Sequence, residues 1–204
     1  MKRAGIICSI LPEREPLFDD KLPSVKDQLS ADIIKLGIFE RGNTLFLYFE
    51  NEDKNIRPAI EAIREKLGGS LENDQVILDE VFFTQGFQED KMPYMRVATF
   101  MKVKPGFEEA YRCAHANIWP SILEGIQRTK IRNYSIFMKG TDLYSYFEVK
   151  DLDHAMAVLA DDSENQRWQR TMAPMMDVGS GMKDGSSVYL KEILYFNIQE
   201  ESWL

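Results

Sequence analysis

Tyr111 and His115 stand four residues apart in the stretch Tyr111-Arg112-Cys113-Ala114-His115-Ala116-Asn117-Ile118-Trp119-Pro120. On a helix that spacing puts a phenol and an imidazole on one face. Imidazole exchanges protons near neutral pH, and a phenol can position or share the proton that moves. The chemistry such a pair suggests is general acid–base work. The plainer reading is an amphipathic helix with core aromatics and a passenger histidine, and spacing alone favours it, since such pairs are common.

The elements around the pair say how it would be held. Residues 95–103 read as a strand, Pro105-Gly106 as a turn, and residues 107–127 as one long helix carrying Tyr111 and His115. Residues 131–138 and 143–149 form a hairpin around Lys139-Gly140-Thr141-Asp142. Helices follow at 152–160 and 164–176, then a glycine- and serine-rich loop and a last strand, 188–196. The first part of the chain has the same order. A buried strand at 4–11 precedes a helix at 17–34, and strands at 34–40 and 45–50 join through Arg41-Gly42-Asn43-Thr44. A helix at 56–67 and a strand at 75–83 complete it.

Composition bounds the problem. The chain has 204 residues, 44% hydrophobic and 28% charged, which suits one large domain or two of roughly 100 residues each. A net charge of -8 argues against a nucleic-acid backbone as partner. Residues 1–90 carry 11 Lys/Arg against 18 Asp/Glu, and residues 91–204 carry 14 against 15, so two units with different surfaces are expected. Cys8 and Cys113 make neither a disulfide framework nor a metal spacing, which predicts a reducing compartment. The start imitates a signal peptide, but its apolar run is short and Glu13, Arg14 and Glu15 follow at once. No run approaches the ~18 apolar residues a membrane helix needs. A cytoplasmic protein with no membrane partner is the expectation.

The two halves match residue by residue. Ile38-Phe39-Glu40-Arg41-Gly42 aligns with Ile136-Phe137-Met138-Lys139-Gly140, and Tyr48-Phe49-Glu50 with Tyr146-Phe147-Glu148. Likewise Leu78-Asp79-Glu80-Val81-Phe82-Phe83 aligns with Leu190-Lys191-Glu192-Ile193-Leu194-Tyr195. The expected fold is therefore α+β, two tandem ferredoxin-like βαββαβ units, 1–90 and 91–204. They would pack sheet to sheet as a dimeric-type α/β barrel, so that each covers the other's apolar face. Phe18 stands where His115 is, Arg14 where Tyr111 is, and Leu36 where Tyr134 is. The first unit is thus a degenerate repeat without site residues.

His115-Ala116-Asn117-Ile118-Trp119-Pro120, Arg132-Asn133-Tyr134-Ser135-Ile136-Phe137, then Gln166-Arg167-Trp168 and Met172 resemble the L-rhamnose mutarotase family, over residues 95–196. The resemblance implies a ferredoxin-like fold that pairs through its sheets. It implies interconversion of the α and β anomers of L-rhamnose or a related 6-deoxy sugar, with no metal or organic cofactor. His115 corresponds to the family's acid–base histidine, Tyr111 and Tyr134 to tyrosines of the sugar pocket, and Trp168 to the first of two adjacent tryptophans on the sugar. Two positions depart from the pattern. Gln169 stands for the second tryptophan, and Ser121 for an acidic residue after the Ile-Trp-Pro run, which leaves L-fucose or another sugar open.

Other readings of these residues stay beside this one. Trp119 and Pro120 fit packing and a helix bend, Tyr144 and Tyr146 sheet positions, His154 a solvated surface site, and Met172, Met175 and Met176 core filling. Cys113 lies off the site face. A non-catalytic sugar-binding or sensing module is the alternative function, and a barrel oxygenase or haem-handling protein rests on fold analogy alone. The expected partner is a monosaccharide. The duplicated halves could form an internal pseudo-dimer or also pair across two chains.

Overall fold

The computed structural model describes residues 2–10, 33–51, 60–61, 65, 76–88, 94–177 and 188–197. In chain order the strands are β1 (Lys2–Ser9), β2 (Ile33–Arg41), β3 (Thr44–Asn51), β4 (Val76–Ile77), β5 (Asp79–Gly86) and β6 (Met95–Lys102). Then come α1 (Glu108–Ala116), α2 (Pro120–Arg128), β7 (Arg132–Lys139), β8 (Asp142–Val149), α3 (Leu152–Asp161) and α4 (Ser163–Met172). A short 3-10 turn (Ala173–Met175), β9 (Val188–Tyr189) and β10 (Lys191–Asn197) end the described chain. The expected helix at 17–34 lies outside the described residues, except that Ile33 and Ile34 already belong to β2. Of the expected helix at 56–67, residues 60, 61 and 65 are described and helical.

The protein is α+β with two antiparallel sheets, and it divides into two compact units: residues 1–78 with 191–204, and residues 79–190. Within the first, the sheet order is β10-β2-β3-β1-β4. Ile6, Leu36, Ile38, Leu47 and Phe49 form a core on one face. Phe39, Phe46 and Tyr48 are buried on the other, so β2 and β3 lack the polar alternation of a half-exposed sheet. Within the second unit the order is β5-β7-β8-β6-β9. Both hairpins turn on two residues, Gly42-Asn43 and Gly140-Thr141, with each glycine at positive φ.

Two expected strands divide. The described residues of the expected strand at 75–83 divide into β4, paired with β1, and β5, paired with β7. Residues 188–196 become β9, paired with β6, and β10, paired with β2. The change falls at Leu78 and Leu190, whose N–H groups still donate to Gly5 and Ala98 at 2.9 Å. Each segment runs as an apolar triplet, a charged pair and a second apolar triplet (Val76–Phe83 and Val188–Tyr195), a pattern that does not name the sheet either part joins.

The expected helix at 107–127 is also two. Trp119 has ψ 137°, outside the helical region, and Pro120 opens α2. Proline lacks the N–H an uninterrupted helix would need, and it pushes the residue before it to extended backbone. The last expected helix stops similarly, at Pro174 in the 3-10 turn.

β5 ends at Gly86, with φ 63° and a backbone so near β7 that an added Cβ would stand 2.3 Å from the Ile131 carbonyl oxygen. Only glycine satisfies both conditions. Gly86→Ala should cost ~2 kcal/mol or more. In a chain of this size that is a fall of roughly 4–8 °C in melting temperature. Calorimetry showing an unchanged melting temperature would contradict the strand end described.

Candidate active site

α1 starts after the Pro105-Gly106 turn, with Glu108 and Glu109 in its first turn and Tyr111 and His115 as its buried residues. The two rings stack with centroids 4.1 Å apart. His115 Nδ1 lies 3.0 Å from the Tyr111 carbonyl oxygen. A carbonyl only accepts, so Nδ1 must carry the hydrogen, and in the neutral ring Nε2 is left as the base.

Tyr134 reaches the same place through an irregularity in β7. Arg132 pairs with Glu148 and Ser135 with Tyr146, so three steps on β7 match two on β8. The extra residue is absorbed at Asn133, whose φ of 51° lies in the left-handed region that asparagine tolerates. The bulge lets Tyr134 face α1 while Arg132, two residues earlier, turns to the opposite face. There Arg132 Nε donates to Glu148 at 2.6 Å, and Tyr146 donates to the same carboxylate at 2.7 Å.

Trp168 comes from α4. Asp162 caps that helix by accepting from the Glu164 and Asn165 N–H groups at 2.8 and 3.0 Å, and it pairs with Arg128 of α2. Trp168 meets His115 edge-on at 5.5 Å, and Trp119 buttresses it at 5.3 Å beneath the Arg167 guanidinium. Phe82 of β5 meets both His115 (5.9 Å) and Tyr134 (5.6 Å) edge-on.

Phe82, Tyr111, His115, Tyr134 and Trp168 line a cavity of about 380 Å³ inside the second unit, a size that suits a small ligand. Tyr111, His115, Tyr134 and Trp168 are therefore all brought together, as are Gln169 and Met172. Ser121 is not a wall of this cavity; its hydroxyl donates to Glu164 at 3.1 Å and ties α2 to α4. Cys113 is exposed and donates to Glu109, which holds its thiol pKa up, and the exposed His154 sits in the capped first turn of α3. Phe82, Thr99, Ser145 and Asn165 also line the cavity. Sequence reasoning missed them. Phe82 falls in the first half of the sequence repeat, and nothing local distinguishes the two hydroxyls from ordinary strand residues.

Burial dominates the proton affinities. It holds the His115 imidazole below its ordinary value near 6.5, against the opposing effect of the bond to Tyr111. It pushes Tyr134 up to about 12. Tyr111 goes well above the usual phenol range by burial and then by the neighbouring Tyr134. Among the described residues neither phenol hydroxyl has a hydrogen-bond partner in the protein. At neutral pH the cavity thus holds a neutral imidazole with a free Nε2 and two protonated phenols.

Residues 96–196 match the family described as L-rhamnose mutarotase. The L-rhamnose mutarotase of Listeria monocytogenes serovar 1/2a is 34% identical over 102 residues, 96% of its own length and 49% of this chain. The chain belongs to the L-rhamnose mutarotase family. The Bacillus subtilis L-rhamnose mutarotase is 32% identical over 104 residues, 98% of its length and 50% of this chain. A monooxygenase-like protein of Lactobacillus acidophilus superposes with a TM-score of 0.61 over 97% of both chains at 10% identity, a likeness of fold alone. The mutarotase-family match includes β10, which pairs in the first sheet, and leaves out β5, which carries Phe82 into the cavity.

The His115 pKa predicts a pH dependence of stability. Above about 6.5 the ring is neutral in both folded and unfolded chains and contributes nothing. As pH falls, the unfolded chain takes up the proton first, so stability drops until the lower folded pKa is passed. Urea unfolding at pH 7 and pH 5 should therefore show a smaller stability loss in His115→Gln than in the unmodified protein. An equal loss in both would mean that His115 is not desolvated.

Proposed function

We propose that this chain is an aldose mutarotase, an isomerase-type enzyme that interconverts the α and β anomers of L-rhamnose or a related 6-deoxy sugar. The observation that carries the reading is the committed tautomer of His115. With Nδ1–H bound to Tyr111, only Nε2 is left to act on a ligand, in a cavity with two phenols that have no hydrogen-bond partner among the described residues. Family membership supports this substrate class, and the apolar walls suit the C–H face and methyl group of a 6-deoxy sugar.

The cycle balances with these groups alone. His115 Nε2 takes the proton of the anomeric hydroxyl while the bond from the anomeric carbon to the ring oxygen breaks. A phenol, Tyr134 or Tyr111, gives that oxygen a proton. The product is the open-chain aldehyde beside an imidazolium and a phenolate. Rotation about the adjoining carbon–carbon bond presents the other carbonyl face. The chain hydroxyl then attacks, its proton returns to the phenolate, and the imidazolium protonates the new anomeric oxygen. A lowered imidazole pKa keeps the base free at pH 7, and phenols of raised pKa stay loaded with their protons. Trp168 and Phe82 hold the sugar against this pair and displace water.

The tandem ferredoxin-like arrangement, acting as an internal pseudo-dimer in the cytoplasm, belongs to the same proposal. Matching strand orders support it, as do single-residue register shifts at Glu80-Val81-Phe82 and Glu192-Ile193-Leu194. Tyr48 donates to Glu50 at 2.9 Å as Tyr146 does to Glu148.

Saturation-transfer proton NMR on the anomeric signals of L-rhamnose, with L-fucose and D-glucose beside it, tests the reaction. Accelerated exchange for one of the 6-deoxy sugars is expected. His115→Ala should slow it ~10²–10⁴-fold, the usual worth of a positioned proton transfer, and Tyr134→Phe should slow it less. Undiminished exchange in folded His115→Ala would remove His115 from its role.

A further inference from the structure

Thr99 and Ser145 lie opposite each other on β6 and β8, line the cavity, and are 4% and 2% exposed. Their hydroxyl oxygens are 2.6 Å apart. Each hydroxyl has one donor and two acceptor sites, so a single bond between them uses one donor and leaves the other. Among the described residues neither hydroxyl has a second partner. A buried donor without a partner is costly, and in a cavity a ligand can satisfy it. The rest of the cavity floor is apolar around this pair: Met101, Ile136 and Phe147.

The register fixes where the pair stands relative to His115. Ser145 is opposite Ile136 on β7, and Ile136 is opposite Phe82 on β5, against which His115 packs. Two strand spacings separate Ser145 from Phe82, ~10 Å across the sheet. The hydroxyl pair and Phe82, the ring that His115 packs against, therefore stand at opposite ends of this stretch of the cavity floor. A pyranose with its anomeric hydroxyl at His115 directs the hydroxyl across the ring, on carbon 4, toward the other end.

We infer that the Thr99–Ser145 pair is a specificity-determining site that binds the 4-hydroxyl of the sugar, an inference that rests on the mutarotase reading for the sugar's orientation. The pair donates its remaining O–H to that oxygen and accepts the sugar's own O–H in return. A site built this way rejects a sugar that lacks the hydroxyl, because the buried donor would then stay unpaired.

The test compares L-rhamnose with 4-deoxy-L-rhamnose on the unmodified protein and on Thr99→Val/Ser145→Ala, with exchange read by NMR and binding by calorimetry. The double variant removes both hydroxyls at nearly constant shape, which leaves no orphan behind. The unmodified protein should bind the 4-deoxy sugar about 10-fold more weakly, the worth of one buried hydrogen bond. The double variant should show a similar rise in KM for L-rhamnose with kcat little changed, and should treat the two sugars alike. Equal affinity of the unmodified protein for both sugars would overturn the inference, whatever becomes of the variant. So would a variant that still discriminates between them. Discrimination in binding without any accelerated exchange would uphold the hydroxyl pair and sink the mutarotase reading. Normal exchange with no discrimination would do the reverse, and binding of neither sugar would remove both.

Discussion

The ladder between β5 and β7 is the interaction on which the site depends. It covers one side of the strand that carries Tyr134, and it brings Phe82 into edge contact with both Tyr134 and His115. It also places α1, since Arg112 of that helix reaches Asp79 at 3.0 Å. An exposed ion pair of this kind contributes little energy. The ring contacts and the backbone ladder hold the geometry. Gly86 closes the ladder where no side chain fits.

One physical effect sets both halves of the proposed proton relay. Removing water from around a group disfavours its charged form, which lowers the pKa of a base and raises that of an acid. In the same cavity it keeps His115 neutral and ready to accept, and keeps Tyr111 and Tyr134 neutral and ready to donate. The opposing assignments need no dedicated charged neighbour. They follow from aromatic and aliphatic walls around three polar tips.

The opposite face of each sheet carries buried charge instead. Glu148 accepts from Tyr146 and Arg132, whose guanidinium lies 3.6 Å from the centre of the Tyr94 ring, and Glu50 accepts from Tyr48 and pairs with Lys35 at 3.1 Å. Such pairs offset the loss of hydration rather than add much net stability, and they punish any register that separates them. In β7 the bulge at Asn133 reconciles this demand with that of the cavity, since Arg132 and Tyr134 must face opposite ways. The Arg-Asn-Tyr run is thus a backbone requirement as much as a chemical one.

The sequence alone determined the strands and hairpins, whose alternation and turn residues are local properties. It also made the candidate set Tyr111, His115, Tyr134 and Trp168 legible, because their types and order match a family and the first pair share a helical face. Helix length was legible in principle from Pro120, which limits its neighbours whatever they pack against. Tertiary structure alone decided how 75–83 and 188–196 divide between sheets, since a strand's side-chain pattern is the same whichever edge it joins. For that reason Phe82 could not be read as part of the site. The partnering of Thr99 with Ser145 was hidden likewise, for two hydroxyls 46 residues apart become one polar site only when β6 and β8 settle in register.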